Sequence, residues 1–159
     1  MYRVGFGTDV HRLTEGRSLI IGGVRVESDL GADGHSDADV LMHAATDAVL
    51  GALALGDIGT HFPSDDDEWR DAESSQFLKK AVELARGRQY LISNIDCIID
   101  LEQPKLRPYI NEIRASLAVA LGVEIDSVSV KAKTGELVDA VGEHRAIRAQ
   151  VVVLLQISD

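Results

Sequence analysis

Hydrophobic and polar residues alternate along several stretches of the chain, and this period of two predicts β-strands. The pair Gly22-Gly23 between two of these stretches is a strong signal for a hairpin turn. The predicted strands cover residues 4–11, the hairpin pair 18–21 and 24–27, and residues 91–101, 128–133 and 146–157.

The first predicted strand has two unlike faces. Val4, Phe6 and Val10 project from one face, whereas Asp9 and His11 project from the other together with two glycines. The last predicted strand is apolar on both faces near its middle. We therefore expect the last strand to be covered on both sides or to lie in a subunit interface.

Hydrophobic residues with a period near 3.6 predict three helices. Ser36 is the predicted N-cap of the first helix, with Asp39 three residues later. Pro108 and Gly122 are start and stop signals for the third helix. The predicted helices cover residues 36–55, 74–86 and 108–121, with an acid-rich loop over residues 56–69.

The predicted strands and helices are interleaved along the chain, which is typical of an α/β sandwich. A length of 159 residues suits one domain, so we assign residues 1–159 to a single domain. We predict an α/β (α+β) sandwich in which about three helices pack on one face of a single mixed β-sheet. Alternation alone leaves open which neighbouring strands are parallel.

The composition argues against several classes of partner. A formal net charge of -10 disfavours nucleic acid, which requires a basic surface. The longest apolar run, residues 151–155, is too short to cross a membrane, and the N-terminus lacks a signal-peptide core. We therefore predict a cytoplasmic protein with no nucleic-acid or membrane partner. A phosphorylated ligand would need metal ions, backbone amides and a few local cations.

Three residues form a candidate metal site. Asp9 and His11 are two residues apart on a predicted strand and share a face, which suits half of a zinc site. His43 lies on a polar stripe of the first predicted helix, and packing beside the strand would bring it to this pair. Two histidines and one carboxylate leave a fourth zinc position open for substrate. The same spacing also fits a surface carboxylate and a solvated histidine.

Two further segments have features that suit a phosphate ligand. His35 and Ser36 are predicted at a helix N-terminus, where free amides and the helix dipole favour anions. Asp57 lies between two glycines that permit a close backbone approach to a ligand. A plain helix cap and a plain turn remain alternatives for these two segments.

The end of the strand over residues 128–133 carries more candidates. Lys131, Lys133 and Thr134 suit phosphate contacts, and Glu136 suits a hard divalent cation. The segment Gln103-Pro104-Lys105-Leu106 is typical of a rigid loop that carries a cation. Each of these signals also fits an ordinary solvated loop.

Taken together, the segments resemble one enzyme family over the whole chain. The most specific part runs from His35 to Gly59. The matching motifs are Gly7-Thr8-Asp9-Val10-His11, Ile21-Gly22-Gly23-Val24, Gly34-His35-Ser36-Asp37-Ala38-Asp39-Val40 with His43, Thr46-Asp47-Ala48, Leu55-Gly56-Asp57-Ile58-Gly59, Phe62-Pro63, Pro104-Lys105 and Val130-Lys131-Ala132. On these motifs the chain resembles the 2-C-methyl-D-erythritol 2,4-cyclodiphosphate synthases of the non-mevalonate isoprenoid pathway.

The resemblance implies a reaction and an assembly. In the implied substrate, 4-diphosphocytidyl-2-C-methyl-D-erythritol 2-phosphate, the 2-phosphate attacks the β-phosphorus, so that the cyclodiphosphate forms and CMP leaves. The implied assembly is a homotrimer with active sites between neighbouring subunits. The alternatives are a zinc-dependent phosphohydrolase on the same scaffold, and a non-enzymatic trimer in which His61 or His144 closes the zinc site.

The resemblance also implies roles for individual residues. Asp9, His11 and His43 would bind zinc, and Glu136 would meet a second divalent ion, magnesium or manganese, on the nucleotide diphosphate. The implied catalytic residues are His35 and Thr134, and the implied substrate-binding residues are Asp9, His11, Ser36, Asp57, Ile58, Gly59, Asp66, Pro104, Lys105, Leu106, Lys133 and Glu136.

The chain departs from the family pattern in two places. Ser64 stands where the family has an aspartate, and Asp66 is the candidate for the second acidic position of this loop. Near the C-terminus, Glu143 stands where the family has an arginine. Our hypothesis is that Lys133 or Arg145 replaces that arginine in phosphate or subunit contacts.

Overall fold

The computed structural model describes residues 1–63 and 72–158. Asp66, a predicted substrate-binding residue, lies outside these ranges. The described strands are β1 (Tyr2–Glu15), β2 (Leu19–Ile21), β3 (Val24–Val26), β4 (Leu30–Ala32), β5 (Tyr90–Asp100), β6 (Val128–Lys133) and β7 (Ala146–Ile157). The described helices are α1 (Val40–Ala52), α2 (Ile58–His61), α3 (Ser75–Gly87), α4 (Ile110–Leu121) and α5 (Asp139–Gly142), with short 3-10 helices at Arg107–Tyr109 and Ile125–Ser127.

Five of the described strands form one mixed sheet in the order β4-β1-β7-β5-β6. β1 is antiparallel to β7 along most of its length, and β7 is antiparallel to β5. β5 and β6 are parallel. β2 and β3 pair as a separate hairpin around Gly22 and Gly23, as the sequence predicts. The predicted mixed sheet is therefore confirmed.

Three helices cover one face of this sheet. α1 packs on β1 and β7, α3 packs on β5, and α4 packs on β6. The side chains beneath them are apolar and buried, as Cys97 of β5 and Val151 of β7 illustrate. The predicted sandwich with about three helices on one face is confirmed. None of the helices described has the length and apolarity that a membrane span requires.

The first helix begins later than the sequence predicts. The N-cap of α1 is Asp39, whose buried carboxylate accepts hydrogen bonds from two backbone N–H groups of the first turn. Ala38 has a left-handed backbone (φ 56°), which interrupts any helix that would begin at Ser36. The prediction that Ser36 caps this helix, with His35 at a helix terminus, is therefore wrong, because Asp39 occupies the capping position.

The glycine side of β1, and not its apolar side, faces the helices. A Cβ added to Gly5 would lie 1.8 Å from the carbonyl oxygen of Ala48 in α1, so only glycine permits this approach. On the opposite side Val4 is 67% exposed and Phe6 is 60% exposed. We call this side, with Val4, Phe6, Val10 and Val152, the open face of the sheet.

Candidate active site

Asp9, His11 and His43 meet at the junction of β1 and α1. Asp9 and His11 project from β1 toward α1, and His43 comes from the first turns of that helix. Asp9 Oδ2 lies 2.9 Å from His11 Nε2 and 3.0 Å from His43 Nδ1. The two histidine nitrogens lie 3.2 Å apart. The structure thus brings together the three residues predicted to bind a metal, and all three are half-buried.

The hydrogen bonds around the triad favour a cation at its centre. His11 Nδ1 lies 2.8 Å from the carbonyl oxygen of Asp33. Because a carbonyl oxygen only accepts, Nδ1 carries the proton and Nε2 presents a lone pair to Asp9. Two ring nitrogens and a carboxylate oxygen that converge in this way suit a divalent metal such as zinc. The residues present therefore fit the predicted metal.

The pKa values of Asp9 and His11 are both shifted by their mutual contacts. Burial opposes the ionisation of Asp9, but hydrogen bonds and charge from His11 and His43 outweigh it and lower the pKa of Asp9 well below its ordinary value. Burial also opposes the charged form of His11, and this effect alone would lower the pKa of His11. In its charged form the ring donates from Nε2 to Asp9, and this hydrogen bond and the carboxylate charge prevail and raise the pKa of His11 above 6.5.

These shifts predict how metal binding depends on pH. A proton and a metal ion compete for Nε2 of His11, so affinity should fall as the pH drops through the raised pKa of His11. Below that pKa we expect a loss of about tenfold per pH unit for each proton displaced. Chelator competition between pH 5.5 and 8.5 measures this. An affinity that stays flat across that range would contradict the assignment of His11 as a ligand.

Ser36 lies beside the triad although it does not cap α1. Its side chain is buried, and Oγ lies 3.2 Å from His43 Nε2. His35 precedes it in the same loop and is exposed to solvent. Ser36 therefore lies close to the candidate metal position, and both residues belong to a loop and not to a helix terminus.

The segment from Asp57 to Gly59 forms the start of α2, within a stretch for which the sequence predicts only a loop. Asp57 Oδ1 accepts hydrogen bonds from the backbone N–H of Thr60 at 2.9 Å and from its hydroxyl at 2.7 Å. These bonds lower the pKa of Asp57. The N–H of Ile58 donates to Asp47 Oδ1 at 2.7 Å. Asp47 lies one turn beyond His43, so α2 begins on the triad side of α1.

A pocket of about 590 Å³ opens at the far edge of the sheet, between the end of β6 and the start of α4. Four residues predicted to bind substrate or to catalyse line it, namely Lys105, Leu106, Lys133 and Thr134. The pocket is also lined by Arg107 and Asn111, which the sequence reasoning missed. Both residues lie at the predicted start of the third helix, directly after the Pro104-Lys105-Leu106 loop, and this position could have indicated that they line the same pocket.

Pro104 and Glu136 flank this pocket. Pro104 lines a neighbouring cavity of about 650 Å³ together with Glu27, Asp29 and His144. Thr134 Oγ1 donates to Glu136 Oε1 at 2.8 Å, so the two predicted residues are in contact. The carboxylate of Glu136 is exposed to solvent.

The two residues considered as replacements for the family arginine have different positions. Lys133 lines the pocket beside Thr134. Arg145 donates to Glu143 at 2.8 Å through Nε, and both side chains are largely exposed. Of the two candidates, Lys133 lines the pocket of its own chain and Arg145 does not.

The histidines considered as a fourth ligand lie elsewhere. His61 Nε2 is 2.9 Å from the carbonyl oxygen of Leu55, and His144 lines the cavity next to Pro104. Across residues 1–63 and 72–158, the metal-ligand cluster that contains Asp9 has three members. The structure therefore gives no support to a triad closed by either histidine.

The register of the sheet separates the triad from the pocket. Asp9 pairs with Ala149, which pairs with Ile99. Ile99 in turn pairs with Ala132 at the pocket. Since neighbouring strands are about 4.8 Å apart, three steps place the two regions roughly 14 Å from each other. One chain therefore carries two distinct parts of a candidate site.

Known proteins resemble this chain over its full length. The protein named 2-C-methyl-D-erythritol 2,4-cyclodiphosphate synthase in Gloeobacter violaceus (strain ATCC 29082 / PCC 7421) is 54% identical over 154 residues, which cover 97% of this chain and 94% of that protein. A solved structure of a 2C-methyl-D-erythritol-2,4-cyclodiphosphate synthase in a CDP-bound form has a TM-score of 0.90 at 39% identity, and the match covers 97% of this chain and 100% of that one.

A second solved structure, of the bifunctional IspDF from Campylobacter jejuni, has a TM-score of 0.96 at 34% identity. The match covers all of this chain and 43% of that longer one. A family model described as the YgbB family matches residues 2–156. With that match and with relatives at about half identity over nearly every residue, the chain belongs to the YgbB family.

Proposed function

We propose that this protein cyclises 4-diphosphocytidyl-2-C-methyl-D-erythritol 2-phosphate to 2-C-methyl-D-erythritol 2,4-cyclodiphosphate and releases CMP. It is then a phosphorus–oxygen lyase of isoprenoid precursor biosynthesis, like the relatives of that name. The observation that carries the proposal is the convergence of Asp9 Oδ2, His11 Nε2 and His43 Nδ1 at one point. The substrate is small, soluble and highly charged, so we place the reaction in the cytoplasm.

The metal would be zinc, held by Asp9 Oδ2, His11 Nε2 and His43 Nδ1. When bound, it supplies a Lewis acid that withdraws charge from the phosphoryl group under attack. The protein itself contributes position, since cyclisation needs the 2-phosphate and the β-phosphorus held in line. We assign His35 and Ser36 to the binding of the methylerythritol phosphate. The start of α2 (Asp57, Ile58, Gly59) would form the opposite wall of the same binding site.

The cytidine diphosphate end would occupy the pocket at the end of β6. The net charge of the chain is -10, so an anionic ligand needs cationic side chains in its own pocket, and Lys105 and Lys133 supply them. The Thr134 hydroxyl, which donates to Glu136 in the free protein, would turn to the phosphates, and Leu106 with the neighbouring Pro104 would shape the wall for the base. Glu136 would hold a magnesium or manganese ion, which would supply positive charge to balance the departing CMP.

The assembly we propose is a homotrimer with active sites between subunits. Its support is the open face, where the apolar side chains of Val4, Phe6, Val10 and Val152 are all more than 40% exposed in one chain. Apolar patches of this kind mark protein interfaces. The separation of triad and pocket within one chain fits a site that two subunits complete.

Replacing Phe6 with aspartate should break this assembly. A charge at the centre of an apolar interface costs desolvation energy without a partner, so we expect a shift from a trimer of 17.2 kDa chains toward monomers. Light scattering after size exclusion measures the mass. Val119→Asp, at a 79% exposed position on α4, is the matched control and should stay trimeric. A wild-type protein that is already monomeric at micromolar concentration would contradict the proposal.

The reaction is tested by phosphorus-31 NMR with purified protein, the cytidyl-diphosphate substrate, zinc and magnesium. We expect cyclodiphosphate and CMP in equal amounts. Release of free phosphate would instead indicate a zinc phosphohydrolase. A substrate that survives while zinc is bound would contradict an enzymatic role on this compound.

A further inference from the structure

Ser74 lies at the back of the candidate metal site, on the side of His43 that faces away from Asp9. Its hydroxyl is fully buried, and Oγ lies 2.8 Å from His43 Nε2. The same hydroxyl donates to Asp37 Oδ1. Asp37 Oδ2 accepts from the backbone N–H of Ser74 at 3.2 Å.

The orientation of Ser74 is unusual for its position. Ser74 is the N-cap residue of α3, where a serine normally turns its oxygen to the amides of the first turn. Here the hydroxyl makes no such bond. It is directed instead toward His43 and Asp37, so it serves an interaction other than the helix cap.

The Ser74 hydroxyl has a single proton, and this decides which group donates in its hydrogen bonds with Asp37 and His43. An ionised carboxylate only accepts, so the single hydroxyl proton of Ser74 goes to Asp37. The oxygen of Ser74 must then accept from His43, which requires the proton of His43 to reside on Nε2. The lone pair of Nδ1 is left facing Asp9, 3.0 Å away.

We propose that Ser74 and Asp37 are positioning residues that hold the ring of His43 and fix its Nε2–H form, so that Nδ1 is free to bind metal. This proposal rests on the metal site of the proposed function and adds two residues to it. Outer partners of this kind fix the tautomer and the ring orientation of metal-bound histidines.

The same contacts join two segments of the chain. The N–H of Asp37 donates to the carbonyl oxygen of Ala72 at 3.3 Å. Asp37 follows directly on His35 and Ser36, the loop assigned to the substrate phosphate. The start of α3 therefore supports both the metal site and that loop.

Zinc affinity of the Ser74→Ala variant tests the proposal, measured by chelator competition on purified protein. Loss of an outer partner typically weakens metal binding 10- to 100-fold. Because Ser36 Oγ also lies 3.2 Å from His43 Nε2 and offers a partial substitute, we expect about tenfold. Ser75→Ala is the matched control, since among the described residues it is the Ser74 hydroxyl, and not that of Ser75, that contacts His43 and Asp37, and it should bind zinc like the wild type.

Nitrogen-15 NMR of the histidine rings in metal-free wild-type protein at pH 8 provides a readout that does not need a variant. We expect a protonated Nε2 at His43. An Nε2 without a proton would overturn the proposal, even if Ser74→Ala failed to fold.

The outcomes separate this proposal from the proposed function. Unchanged zinc affinity in a folded Ser74→Ala variant would overturn the positioning role while wild-type CMP release still stood. Conversely, weaker zinc binding with a wild type that releases no CMP would support the positioning role and contradict the enzymatic one.

Discussion

The His43→Ala variant is expected to lose tight zinc binding and to release CMP on the order of 1000-fold more slowly than the wild type, which is about 4 kcal/mol of transition-state stabilisation. Truncation removes one of the three candidate ligands and leaves Asp9 and His11 as an incomplete site. Zinc stoichiometry by elemental analysis and single-turnover rates at saturating substrate measure the two effects.

A matched control separates ligand loss from general damage. His144→Ala removes an exposed histidine that lines a different cavity, so zinc content should remain at one per chain. His43 is only half-buried, and the variant should keep the wild-type circular dichroism spectrum. If His43→Ala retained one tightly bound zinc per chain, the triad would not be the metal site.

Gly5→Ala should destabilise the fold by more than about 3 kcal/mol, a large effect for a single methyl group. The added Cβ would lie 1.8 Å from the backbone oxygen of Ala48 and 2.9 Å from Ala52 Cβ. A backbone carbonyl cannot rotate out of the way, so α1 would have to move off β1. Guanidinium denaturation at fixed protein concentration measures the free energy of unfolding.

The control for this substitution is Gly87→Ala. Gly87 is the last residue of α3, and a Cβ added there meets nothing within 4 Å. We expect unchanged or slightly higher stability, since alanine favours a helix over glycine by about 0.5–1 kcal/mol. Equal stability of Gly5→Ala and the wild type would mean that α1 does not pack on β1 as described. Because α1 carries His43, Gly5→Ala should also weaken zinc binding.

Local patterns fixed most of the elements of this fold. Alternation predicted β6 and β7 with their observed bounds, and Gly22-Gly23 predicted the hairpin. These predictions hold because strand periodicity and turn chemistry depend on neighbouring residues. The same local rule placed Asp9 and His11 on one face, and so yielded two of the three candidate ligands.

Competition between nearby groups decided where α1 begins. Ser36 and Asp39 are both good N-caps by residue type. In the folded chain Asp39 also accepts hydrogen bonds from Gly22 at 2.9 Å and Gly23 at 2.6 Å, which tie the hairpin to the helix. A carboxylate with four amide partners is the stronger cap, and two of those partners are distant in sequence.

By itself, the sequence determined which residues share a face, where most elements lie and, through its motifs, the family. The tertiary structure decided which face of β1 is buried, because alternation does not state whether the helix packs on glycines or on apolar side chains. It also decided that the Ser74 hydroxyl contacts His43 of the candidate metal site, although the two residues are 31 positions apart. Contacts of that range depend on how helices pack on the sheet, and no local spacing encodes them.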